Sequence, residues 1–221
     1  MPRQLVLELV HRPAFGREDF LVAPPNEAAV ALIDTWPGWP DRVVALSGPE
    51  GSGKTHLAEV WRAASGAVSL TPAGLAGADI PGLAARGAII LEDLDVLDAA
   101  AERALFHLVN LVREEEAYLL LTSHVPLARL GFALPDLASR LRAVPQAALG
   151  VPDDALLTGI LIKLFDDRQL LVAPGVVPYL ASRIERSVAA VRQAVEALDR
   201  ASLSGRRPIT VRLAAEFLNR G

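Results

Sequence analysis

Gly48-Pro49-Glu50-Gly51-Ser52-Gly53-Lys54-Thr55 matches the pattern G-x-x-x-x-G-K-[ST] at every fixed position, and the reading of this stretch decides the fold. Gly48, Gly51 and Gly53 let the backbone wrap an anion with its N–H groups pointing inward. Pro49, Glu50 and Ser52 fill the rest of the wrapping loop. Lys54 carries a point charge to the outer phosphates, and the Thr55 hydroxyl can reach a magnesium ion. A helix beginning near Lys54 adds its positive dipole end. The flanks have the order such a loop needs. Val43-Val44-Ala45-Leu46 reads as a buried strand before it, and His56 to Ala64 reads as a helix after it. Of 22 basic residues only Lys54 and Lys163 are lysines, so a lysine here runs against the arginine habit of the chain.

Further strands of the same kind follow. Ala67 to Leu70 is a short apolar segment. Ala88-Ile89-Ile90-Leu91 is wholly apolar and ends in Glu92-Asp93, where phosphate-loop proteins place an acid for the magnesium shell. Ala99 to Glu115 reads as an amphipathic helix with Leu105, Leu108, Val109 and Val112 on one face. Tyr118 to Leu121 is another continuous apolar strand. It ends in Thr122-Ser123, hydroxyls suited to polarising a water beside a terminal phosphate. Continuous apolar strands alternating with helices imply an α/β fold with a parallel sheet covered on both faces. From Asp153 onward only helical periodicity remains, with Leu156, Leu157, Ile160, Leu161 and Leu164 in one stripe. Asn26, Ser187 and Thr210 stand as N-caps of helices. The expected organisation is an N-terminal peptide over 1–15, a nucleotide-binding domain over 16–150 and a small all-helical lid over 151–221.

Composition narrows the function classes. At 52% hydrophobic and 22% charged the chain is globular. It has no cysteine, hence no disulfide and no thiolate metal site. No apolar run approaches the ~20 residues of a membrane span, and no signal-peptide core follows Met1. A cytoplasmic protein is expected. Net charge is −4 with no basic cluster longer than Arg206-Arg207, so DNA is expected to be reached only through partners. His11, His56, His107 and His124 have no metal-ligand spacing. The sequence leaves monomer and homodimer equally open.

Gly48–Thr55, Glu92-Asp93, Leu121-Thr122-Ser123 and Leu137-Ala138-Ser139-Arg140 occur in the order and spacing of AAA+ ATPases, and they resemble the branch of the replication initiator DnaA. The resemblance covers nearly the whole chain and stops where the initiator continues into a DNA-binding domain. It implies an AAA+ phosphate-loop fold with a five-stranded parallel sheet and a helical lid, holding ADP or ATP with Mg2+. Phe20 and Asn26 then begin the adenine pocket, and His56 opens the helix after the phosphate loop. Thr55 and Glu92 are implied as metal groups, with Asp93 and Ser123 beside the reacting phosphate. Arg140 is implied as an arginine finger that reaches a neighbouring subunit's nucleotide.

Gln4-Leu5-Val6-Leu7-Glu8-Leu9 resembles the peptide, with Gln4, Leu5, Leu7 and Leu9 as contacts, by which bacterial replication proteins dock on the DNA polymerase III sliding clamp, its beta subunit. Joined to a DnaA-like module without a DNA-binding domain, it resembles the Hda family, regulatory inactivators of DnaA found at the replisome. That resemblance implies clamp recruitment, an encounter with ATP-bound DnaA and promotion of its hydrolysis, preventing re-initiation. A helicase loader of the DnaC or IstB type is the alternative, expected to carry a basic surface. Two departures from the family pattern suggest slow hydrolysis in the chain's own site. Glu92 stands where a shorter Asp is usual. Ala189 stands where the lid usually gives an arginine to the phosphates, and Arg186 and Arg192 are expected on other faces of that helix.

Overall fold

The computed structural model describes residues 17, 20–205 and 208–219. The peptide Gln4–Leu9 therefore lies outside the described residues. Five strands form one parallel sheet: β1 (Val43–Ser47), β2 (Val68–Leu70), β3 (Ala88–Leu91), β4 (Tyr118–Ser123) and β5 (Gln146–Ala148), in the order β2-β3-β4-β1-β5.

The central strands are apolar throughout because both faces are covered. On one face Val43, Ala45, Ile89, Leu91, Leu119 and Leu121 pack against α5 (Ala99–Glu114) and α6 (Pro135–Arg142). On the other, Val44, Leu46, Ile90 and Leu120 pack against α1 (Glu27–Asp34) and α2 (Lys54–Ser65). Two short helices, α3 (Pro72–Leu75) and α4 (Ile80–Ala84), bridge β2 to β3. The Trp36–Pro40 turn does more than reverse the chain. It buries Trp39 against Trp61 of α2, ring centroids 4.9 Å apart.

Asn26 does not cap α1 with its side chain. Its Oδ1 accepts from the Ala23 N–H at 2.9 Å and its amide donates to the Leu21 carbonyl at 2.9 Å. The side chain fixes the segment entering the helix instead. Ser187 and Thr210 do cap, accepting from the N–H of Ala190 and Leu213.

Beyond Gly150 the chain is helical: α7 (Asp154–Asp167), α8 (Val176–Ala181), α9 (Val188–Gly205) and α10 (Val211–Leu218). Leu157, Leu161, Phe165, Leu180, Val191, Val195 and Leu198 form a core of their own among these helices. No described helix is long and apolar enough to cross a membrane.

Candidate nucleotide-binding site

The parallel sheet puts the carboxyl ends of β1, β3 and β4 along one edge, where open α/β sheets place their ligand crevice. β1 runs directly into the loop 48–53, and α2 starts at Lys54. Gly53, at φ 104°, is the left-handed residue from which α2 departs, and Gly51 is left-handed too, at φ 73°. A Cβ on Gly48 would run into the Leu149 carbonyl. The glycines are thus set by backbone conformation and close approach. Ser52 is buried beside the cleft, and its hydroxyl has no partner among the described residues. A buried orphan donor of this kind fits a site built for an anion.

Lys54 is only 6% exposed. Its ammonium donates to the carbonyls of Gly48 at 2.7 Å and Pro49 at 3.0 Å. Burial lowers its pKa, against the opposing pull of Asp93, Asp95, Glu50 and Glu92. Loss of hydration outweighs four carboxylates, so an entering phosphate would give this cation the close partner that the loop carbonyls only approximate.

The two acids of the pair are placed differently. Asp93 adopts the left-handed region at φ 56°, an uncommon place for a non-glycine residue. Its N–H donates to Thr122 Oγ1 at 3.1 Å, and it lines the cleft with Lys54 and Thr55. The Glu92 carboxylate instead accepts from the Ser69 hydroxyl at 3.3 Å, toward β2. Thr55 and Asp93, which both line the cleft, are the residues that could hold a magnesium ion. No cluster of three or more His, Cys, Asp or Glu side chains that could hold a metal occurs among the described residues. That fits an ion held largely by phosphate oxygens and water, with one or two protein groups. Ser123 is fully buried and its hydroxyl donates to the Val125 carbonyl at 2.6 Å. Thr122 is buried as well, and neither residue lines the cleft. The end of β4 presents His124 there.

Toward the lid the cleft becomes apolar, walled by Phe20, Leu21, Leu156, Ile160, Leu164 and Val188, with Asn26 and His56 among its lining. Phe20 and His56 rings meet at 5.1 Å. The lid is rooted on the phosphate loop itself. The Val188 N–H donates to the Gly51 carbonyl at 3.0 Å, at the first turn of α9.

That contact makes Gly51 a joint between core and lid. A Cβ there would collide with the Cβ of Ser187, at a φ that disfavours any side chain. Gly51→Ala is expected to destabilise the ligand-free protein by about 1–3 kcal/mol, read from urea denaturation. An unchanged midpoint would mean that the lid does not press on the loop.

Ala189 lines the loop side of the cleft, as the sequence implied. Arg192 is on the same face, not another, because i and i+3 are neighbours on a helix. It borders both parts of the cleft. Its Nη2 lies 3.0 Å from His56 Nδ1 and 3.3 Å from Nε2. Burial, and then repulsion by Arg168, hold this guanidinium below its ordinary pKa while Glu196 opposes them. Arg186 does point elsewhere, pairing with Asp154 at 2.9 Å.

Arg140 lines neither part of the cleft. It sits on α6, exposed, with its guanidinium 5.4 Å from the Phe106 ring centroid of α5. Leu137 and Leu141 anchor the same helix in the core.

Comparison with known proteins adds identity to this geometry. Residues 154–218 match the family model described as Hda, lid domain. No curated protein sequence matches the chain. Domain III of Thermotoga maritima DnaA superposes with a TM-score of 0.82 at 18% identity, over 94% of this chain and 97% of that one. AMPPCP-bound DnaA from Aquifex aeolicus gives 0.70 at 18% identity, over 85% of this chain and 66% of that chain. A RuvB variant from Thermotoga maritima gives 0.70 at 14%, over 93% and 72%. Residues 154–218 thus carry the likeness to the Hda lid, and the chain as a whole has the fold of DnaA domain III.

Proposed function

We propose that this chain is a nucleotide-binding adaptor of the Hda type that docks on the sliding clamp and promotes hydrolysis of DnaA-bound ATP. The observation that carries the reading is an Hda lid on a DnaA-type core, with an exposed arginine outside its own cleft. Its own nucleotide, ADP or ATP with magnesium, lies with the base toward Phe20 and Asn26 and the phosphates toward Lys54 and Thr55. AMPPCP bound to the Aquifex aeolicus relative supports an adenine nucleotide. Hydrolysis in this site is slow, because Thr122 and Ser123 are buried off the cleft and Glu92 is turned to Ser69. The nucleotide serves mainly to hold lid and core together. Arg140 acts in trans, on an ATP held by DnaA, whether the adaptor works as a monomer or as a homodimer. The protein works in the cytoplasm at the replisome and meets DNA only through its partners.

Clamp docking rests on Gln4, Leu5, Leu7 and Leu9. An extended peptide of this kind offers its glutamine amide for hydrogen bonds and its leucines to apolar pockets. Gln4→Ala combined with Leu7→Ala is expected to weaken clamp binding by about a hundredfold in surface plasmon resonance, since two anchors are lost together. Nucleotide binding should be unaffected. Clamp affinity that survives the double change would favour the helicase-loader alternative.

A further inference from the structure

We propose that Glu102 of α5 is a positioning residue for Arg140. By fixing the entry of α6 it sets where the guanidinium stands toward an ATP held by DnaA. This rests on the reading of Arg140 given above.

Glu102 lies in the first turn of α5 and is only 6% exposed. Its partners are two backbone N–H groups rather than a cation. Oε1 accepts from the Ala133 N–H at 3.0 Å, and Oε2 accepts from the Leu134 N–H at 3.0 Å. A carboxylate out of water is costly unless its oxygens are hydrogen-bonded, and here each oxygen has its own donor. Two donors that are consecutive in the chain are gripped by one side chain from a different helix.

Ala133 and Leu134 are the last two residues before α6, and Leu134 is its N-cap. A leucine cannot cap with its side chain, and Pro135 at the head of the helix has no N–H. The entry of α6 is therefore held from outside, by the acceptor that α5 supplies through Glu102. A carboxylate at this end also suits the positive end of the helix dipole.

The hold has leverage on Arg140. Leu137 and Leu141 bury one face of α6 in a core that includes Leu105 and Leu108 of α5. They decide which face of α6 points inward. The paired bonds from Ala133 and Leu134 decide the direction in which the helix sets out. Arg140 stands about 9 Å along the axis from Leu134, at 1.5 Å per residue, so a tilt of about 10° at the entry would move it by roughly 1.5 Å. A displacement of about 1 Å at a reacting group can cost on the order of a hundredfold in rate. The Arg140 side chain itself is exposed, and its guanidinium lies 5.4 Å from the centroid of Phe106, one turn beyond Glu102 on α5. Its placement is thus set mainly by the helix that carries it.

Stimulation of ATP hydrolysis by DnaA tests this, with the full chain titrated to saturation in the presence of clamp and DNA. Glu102→Gln keeps the volume but sets an amide NH2 against one of the two N–H groups. It is expected to lower the rate at saturation about tenfold, with the half-maximal concentration within about threefold of wild type. Glu102→Asp keeps the charge but draws it back by one methylene, and should lose about as much. Hydrogen exchange over residues 131–142 should quicken in both variants, while nucleotide and clamp binding hold. Should the Asp variant fail to fold by circular dichroism, the Gln variant carries the comparison. A Gln variant with the wild-type rate, beside an Arg140→Ala variant that has lost it, overturns the inference and leaves Glu102 a staple of the loop before α6. A change in half-maximal concentration alone overturns it as well. Full stimulation by Arg140→Ala overturns the reading of Arg140 itself, and the inference with it.

Discussion

Lys54→Ala is expected to abolish measurable binding of ADP and ATP, a loss of at least about a hundredfold, which corresponds to roughly 2.7 kcal/mol. A hydrogen bond to a charged group contributes about 1.5–3 kcal/mol, and this ammonium can reach more than one phosphate. The ligand-free geometry shows it already in place, 6% exposed and folded onto the Gly48 and Pro49 carbonyls. Turning to a phosphate means sharing or giving up those two carbonyl bonds, a local movement of one side chain. The same geometry makes the change mild for the fold. Burial already disfavours the cation, as its lowered pKa shows, so removing it relieves a desolvation cost while giving up two carbonyl contacts. Calorimetry with Mg2+–ADP and urea denaturation of the ligand-free protein separate the two effects. Nucleotide affinity within tenfold of wild type would mean that the loop holds phosphate through its backbone alone. A large fall in stability would mean that Lys54 serves the loop more than the ligand.

What the sequence made legible follows from how directly each feature is written in it. β1, β3 and β4 were readable because both faces are buried, which leaves an unbroken apolar run in each. β5 was not. Gln146, Ala147 and Ala148 form a short edge strand that is only partly buried and has no apolar run. The phosphate loop was readable because its glycines answer backbone demands at fixed spacing. The division of labour between Glu92 and Asp93 was not, because it depends on the left-handed turn at Asp93 that swings one acid into the cleft and leaves the other on Ser69. Nor did a pair of hydroxyls at the end of β4 announce that both would be buried off the cleft. The signal for His124 was present: it is the first residue beyond a buried parallel strand, at the edge where ligands bind. Arg192 was also within reach of helical arithmetic, three residues beyond Ala189 and therefore beside it.

On the adaptor function proposed above, Arg140→Ala is expected to leave this protein folded and competent for nucleotide and clamp, yet to reduce stimulation of ATP hydrolysis by DnaA by about a thousandfold or more, the range over which arginine fingers act in phosphoryl transfer. The structural cost is small because the side chain is exposed and its visible contact is the Phe106 ring at 5.4 Å, worth roughly 0.5–1 kcal/mol at such a site. The helix beneath it is held by Leu137 and Leu141, which the change does not touch. Arg140→Lys should restore charge but little activity, since a flexible ammonium lacks the planar fork that meets two phosphate oxygens together. A single-turnover assay with labelled ATP preloaded on DnaA, with clamp and DNA present, reads this directly. Loss in both variants places the guanidinium at the reacting phosphate. Full stimulation by Arg140→Ala would leave α6 a docking face only and require the catalytic cation to come from DnaA itself. Partial loss restored by raising the concentration of the variant would assign Arg140 to affinity between the two proteins, because a group that acts only in the transition state lowers the rate at saturation.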